Sequence, residues 1–211
     1  MKRHSSRVVG LSALLLTWSA VSPRLPTRWN PLPHIAFSAT LAFTGRESLG
    51  LRPPALWDGL RWGGIAAAPV ISAVAAATAR REVREGMAVR DIPAKPGRWL
   101  LLRIPFGTVW SEEVVYRGIL DSVATRAFGP RAGGIVAAAV FGLSHVPDAR
   151  AGGDSVLGTV LVTGAAGALF SWLYRRSGSL AAPILAHLAI NEAGAVAALA
   201  VQRGRVERRA V

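Results

Sequence analysis

The 211-residue chain contains no cysteine, which excludes disulfides, thiolate metal sites and cysteine nucleophiles together. Acidic residues are scarce: 12 Asp and Glu face 25 Lys and Arg, for a formal net charge of +13. Two long stretches, Trp62–Ala79 and Ser155–Tyr174, hold no charge of either sign. A basic excess of this size suits nucleic acid, but 51% hydrophobic residues and a mean hydropathy of +0.35 point elsewhere. The basic residues cluster between apolar runs, without interleaved aromatics or a nucleic-acid-binding motif, so no nucleic-acid partner is expected. The remaining class is an integral membrane protein, in contact with lipid, whose basic residues sit mostly in loops.

A membrane-crossing helix needs roughly 20 mostly apolar residues. Besides the two uncharged runs, Val8–Ser22, Pro31–Gly45, Trp99–Phe128, Arg131–Val146 and Leu180–Val201 come near that pattern. In lipid every backbone polar group needs an internal partner, so each run is predicted to be a helix. The fold class is all-α: a polytopic membrane bundle of about seven transmembrane helices with its active site inside the bundle. Met1–Ser22 also has the basic start and apolar run of a secretory signal. With six more runs behind it, we read it as an uncleaved first helix.

Three regions follow. Residues 1–98 hold the N-terminal helices and a basic loop with no motif; residues 99–201 hold the unusual polar residues; residues 202–211 are a basic tail. The loop carries Arg80, Arg81, Arg84, Arg90, Lys95 and Arg98 and reads as cytoplasmic, beside anionic lipid. Seven spans put the tail on the same side, which then has the larger share of basic residues.

An ionisable side chain at the bilayer centre costs about 2.5–3.5 kcal/mol even on a lenient insertion scale. The run 99–128 nevertheless carries Arg103, Glu112, Glu113, Arg117, Asp121 and Arg126. Glu113 and Arg117 are i and i+4, acid first, so they can neutralise each other on one helix face. Glu112 points about 100° away and lacks that partner, which leaves it available for chemistry. Gly129-Pro130 is a turn signal. Glu112 precedes it and His145 follows it by nearly equal lengths, about 22–26 Å along each helix, so a hairpin brings them level. Phe141 shares a face with His145 and can wall the site. His187 and Asn191 form a third i, i+4 pair. Counting places His187 only about 15 Å past its preceding loop, shallower than the other two, unless Pro183 alters the register. His4 and His34 stand alone and suggest no chemistry.

The ordered motifs Glu112-Glu113-x-x-x-Arg117, Phe141-x-x-x-His145 and His187-x-x-x-Asn191 resemble those of the CPBP family. These are the CAAX-processing and bacteriocin-processing membrane proteases, also called Abi-like. The resemblance spans about Trp99 to Val201, with Tyr116 where Phe is commoner.

It implies a multi-pass endopeptidase of a bacterial cell membrane, acting on a membrane-associated protein or peptide, of CAAX type or a peptide precursor. Glu112 would activate water with help from His145. His187 and Asn191 would stabilise the oxyanion, and Glu113 and Arg117 would hold the first motif in place. A carboxylate base and amide or imidazole donors suit such chemistry. No cofactor is favoured. Zinc held by Glu112, His145 and His187 is the alternative. A non-catalytic scaffold or immunity protein, or a proton-coupled transporter using Glu112 and the histidines as a relay, are the readings from other classes.

Overall fold

The computed structural model describes residues 2–45 and 48–209. Each of the seven apolar runs lies in a helix, and no strand forms among the described residues. In chain order these are α1 (Lys2–Val21), α2 (Leu32–Gly45), α3 (Ala55–Thr78), α4 (Arg81–Ala88), α5 (96–128), α6 (130–144), α7 (Val146–Gly152), α8 (Val156–Ser177) and α9 (Ala181–Arg209). The 55–78, 96–152, 156–177 and 181–205 segments are long and apolar enough to cross a membrane, so the chain is an integral membrane protein. The second of these bends at Gly129 and supplies two arms. α2, with 14 residues, spans about 21 Å and falls short of a typical hydrocarbon core. Phe43, Ile65, Leu101, Ile135, Leu161 and Val162 point outward, as lipid-facing side chains do.

The polar stretch between α3 and α5 is less of a plain loop than its composition suggests. It contains α4, held by an Arg81–Glu85 ion pair at 2.7 Å, one turn apart. Gln202 of α9 donates to the Met87 and Arg90 carbonyls at 3.0 and 2.7 Å, tying this segment to the bundle end. α9 itself runs through residue 202 without a break. Residues 210 and 211 of the basic tail lie outside the described residues.

α5 is an unusual helix. Trp99–Trp110 and Val114–Asp121 are π-helical, separated by one short α segment, Ser111–Glu113. Such hydrogen bonding is rare, and its single-turn form is frequent at functional sites. The turn to α6 is made at Gly129, whose φ of 81° lies where side-chain-bearing residues are strained. α6 then returns so close to α5 that a Cβ at Gly133 would sit 2.5 Å from the Thr125 nitrogen. Backbone cannot yield as a side chain can. Gly133→Ala should therefore cost about 1–3 kcal/mol as an overpacking change. A lowered unfolding temperature in detergent checks it.

The core joins Val115, Tyr116, Leu120 and Val123 of α5 to Ala137 and Phe141 of α6, Phe170 and Leu173 of α8, and Ala182 and Ala186 of α9. At one end of the bundle the Leu180 amide donates to the Leu49 carbonyl at 2.9 Å, joining the α2–α3 and α8–α9 connections. At the other, Arg98 donates to the Arg28 and Asn30 carbonyls at 2.9 and 3.2 Å.

Candidate active site

The first motif lies where the two π-helical stretches meet, and it separates the two acids. Glu113 is wholly buried and Arg117 is 1% exposed. Arg117 donates to Glu113 Oε1 at 3.1 Å. Its guanidinium also lies 4.0 Å from the Phe141 ring centroid and 5.0 Å from that of Phe170. Such a desolvated cation over aromatic faces gains about 2 kcal/mol. The expected pair is present, and aromatic rings supplement it.

Glu113 has a second partner that helix periodicity could not reveal. The same Oε1 accepts from His187 Nδ1 at 2.8 Å. A carboxylate oxygen can only accept, so Nδ1 carries the proton. Nε2, the other ring nitrogen, then faces Glu112, with 4.0 Å between Nε2 and Oε2. Phe170 stacks on the His187 ring with centroids 5.0 Å apart and planes at 25°, and Phe141 meets it edge-on. His187 is therefore fixed in both tautomer and plane.

His187 is not shallow, as counting along α9 suggested. It reaches the level of Glu112 and Glu113. Counting assumed that the two turns at this end lie level, and the ion pair between Asp121 and Arg175 shows that they do not. Its contacts are 2.8 and 2.9 Å. Arg175 is three residues before Gly178, whereas Asp121 is eight before Gly129. The α5–α6 hairpin thus overshoots its neighbour by about 7 Å. The π-helical stretch from Val114 to Asp121 shortens the climb to Glu112 further, because each turn takes up more residues.

His145 sits at the end of α6, where Pro147 opens the first turn of α7. Its Nδ1 lies 2.8 Å from the Phe141 carbonyl and 3.3 Å from Ser144 Oγ. A carbonyl acceptor again places the proton on Nδ1, leaving Nε2 as an acceptor. Phe141 walls the histidine, with ring centroids 4.7 Å apart. Asn191, one turn past His187, donates one amide proton to the His187 carbonyl at 3.2 Å and keeps a second.

Glu112, His145 and Asn191 line one cavity of about 350 Å³. This is the meeting the hairpin argument expected of Glu112 and His145. His187, 6% exposed, stands behind that wall. Glu112 Oε2 is buried without a hydrogen-bond partner among the described residues, at a cost of about 1–3 kcal/mol for such an orphan. Among the described residues, no three His, Asp or Glu side chains are grouped to hold a metal ion. The opposite cavity wall comes from α1, α2 and their connection, including Leu15, Trp18, His34 and Phe37. Sequence reasoning missed that wall, and it missed Phe170 and Ser144. Ser144, beside His145, was the only one of these with a local signal.

Residues 94–193 match the family model described as type II CAAX prenyl endopeptidase Rce1-like. The match contains all three motifs, and over this segment the chain is similar to that family. No curated protein and no solved structure is significantly similar to the chain.

Proposed function

We propose that the chain is an intramembrane endopeptidase that hydrolyses a peptide bond of a membrane-associated protein or peptide, with Glu112 activating the water. One observation carries this reading. Of two adjacent carboxylates, Glu113 is wholly buried and held through Oε1 by Arg117 and His187, while Glu112 lines a cavity shared with His145 and Asn191.

The steps follow from the donors and acceptors present. Water, held by Glu112 and donating one O–H to His145 Nε2, gives its other proton to Glu112 as its oxygen attacks the scissile carbonyl. Negative charge develops on the carbonyl oxygen, where the free Asn191 amide proton is available to it. His187, held by Glu113 at Nδ1, would add a second donor only in a form that also carries a proton on Nε2. The proton on Glu112 then passes to the leaving nitrogen as the carbon–nitrogen bond breaks. A prenylated CAAX protein, named in the family description, is one substrate of the required class.

No metal enters these steps. The purified chain should hydrolyse peptide equally well with and without a strong chelator, in a preparation shown metal-free by elemental analysis. Stoichiometric zinc that is lost and regained together with activity would overturn the metal-free mechanism. Asn191→Ala should lower kcat by about 10²-fold with little change in KM, because its amide is worth most once the oxyanion forms. A rise in KM alone would remove Asn191 from the oxyanion site.

A further inference from the structure

We propose that the corner formed by α1 and α2 is a substrate subsite, an apolar shelf that receives one bulky apolar side chain next to the scissile bond. The proposal rests on the endopeptidase reading of the same cavity. The shelf residues, Leu15, Trp18, His34 and Phe37, all line the cavity that Glu112 and His145 line. They also precede residue 94, where the family match begins. The matched segment supplies the charged side chains of the lining, and the residues outside it supply most of the apolar and aromatic ones.

The shelf is built rather than incidental. Leu15 and Trp18 share a face of α1, and His34 and Phe37 share a face of α2, each pair three residues apart. Trp18 lies flat on Phe37, with centroids 4.4 Å apart and planes at 8°. His34 meets the same indole edge-on at 5.6 Å and 76°. Held by both neighbours, the Trp18 ring has one orientation, so little freedom is lost when a ligand packs against it.

Burial separates this trio from the structural aromatics. Phe141 and Phe170 are 2% and 1% exposed. Trp18, His34 and Phe37 are half-buried, with surface left for the cavity. α1 packs on the 122–144 hairpin and α2 packs on the segment that carries Glu112 and Glu113. The shelf is therefore held at a fixed distance from the reacting carboxylate. A cavity of about 350 Å³ admits a few side chains of an extended peptide and no folded domain. The occupant that fits is a Leu- or Phe-sized side chain.

The test uses the full chain in detergent and a set of hexapeptides carrying photo-leucine, a diazirine analogue of leucine, at successive positions. After irradiation, the label should map to the shelf residues for one probe position only, in the wild type and in Glu112→Gln alike. Trp18→Ala should lower that yield about tenfold, the loss of one aromatic contact, while Trp18→Phe retains most of it. Trp57→Ala, an outward-facing change, should leave it unaltered. In turnover, Trp18→Ala should raise KM about tenfold for peptides with Leu or Phe at that position, with kcat unchanged and Ala-containing peptides unaffected.

Should Trp18→Ala fail to fold, the wild-type labelling map decides alone. Label on lipid-facing side chains such as Ile65 and Leu161, or spread evenly over probe positions, overturns the shelf. Shelf labelling without any cleavage keeps the shelf and overturns the endopeptidase reading; cleavage without shelf labelling does the reverse.

Discussion

Glu112→Gln should lower hydrolysis by at least about 10³-fold while the protein accumulates at its wild-type level. The substitution keeps volume and shape, so packing around the side chain is preserved. It removes the ability to accept a proton from water, and the adjacent carboxylate is not free to substitute. Glu113 is the neighbour in sequence, but its Oε1 already serves Arg117 and His187. Stability should change little, because Glu112 Oε2 has no hydrogen bond to lose. The measurement is kcat of the purified variant, alongside a comparison of membrane proteomes from cells expressing each form. A substrate that is processed with the wild type should persist uncut with the variant. Activity within tenfold of wild type would remove Glu112 from the reaction and return the chain to the scaffold reading.

The opposite pattern is expected of Glu113→Gln, which should harm folding first. Arg117 would stay buried with no counter-charge, and breaking such a pair costs about 3–5 kcal/mol. The Phe141 and Phe170 rings continue to support the cation, which favours the lower half of that range. Thermal unfolding in detergent and the yield of folded protein read this directly. The double variant Glu113→Gln/Arg117→Met separates stability from catalysis. It should recover much of the lost stability, since no unpaired charge remains. It should not recover activity, because His187 has lost the carboxylate that sets its tautomer. A single variant as stable as wild type would show that the ion pair does not carry this part of the fold.

The features that could be read from sequence are those fixed within one helix. The Glu113–Arg117 pair, the isolation of Glu112 and the shared face of Phe141 and His145 all depend on helix periodicity, which the folded chain keeps. The turn at Gly129-Pro130 was legible because few other residue pairs so strongly favour that geometry. Relations between helices were harder to read. The depth of His187 depends on how far one hairpin projects past another, and nothing local to α9 encodes that offset. Phe170 lies in an unremarkable apolar run, and only packing shows that it stacks on His187. The α1–α2 wall has no motif because its apolar and aromatic residues would look the same facing lipid. α4 was hidden by a composition that reads as loop until Gln202 is brought to its carbonyls.

The π-helical stretches of α5 make residue count a determinant in its own right. A π-turn closes its hydrogen bond five residues back instead of four, so Val114–Asp121 holds more residues than an α-helix of equal length. The segment is, in effect, out of frame with α-helical winding. Removing a single residue there would let the backbone relax toward α geometry. Everything upstream would then swing about 100° around the axis, taking Glu112 and Glu113 away from His145 and His187. Substitutions that preserve the number of residues leave that phase intact. Insertions and deletions do not, so this stretch tolerates changes of letter far better than changes of length.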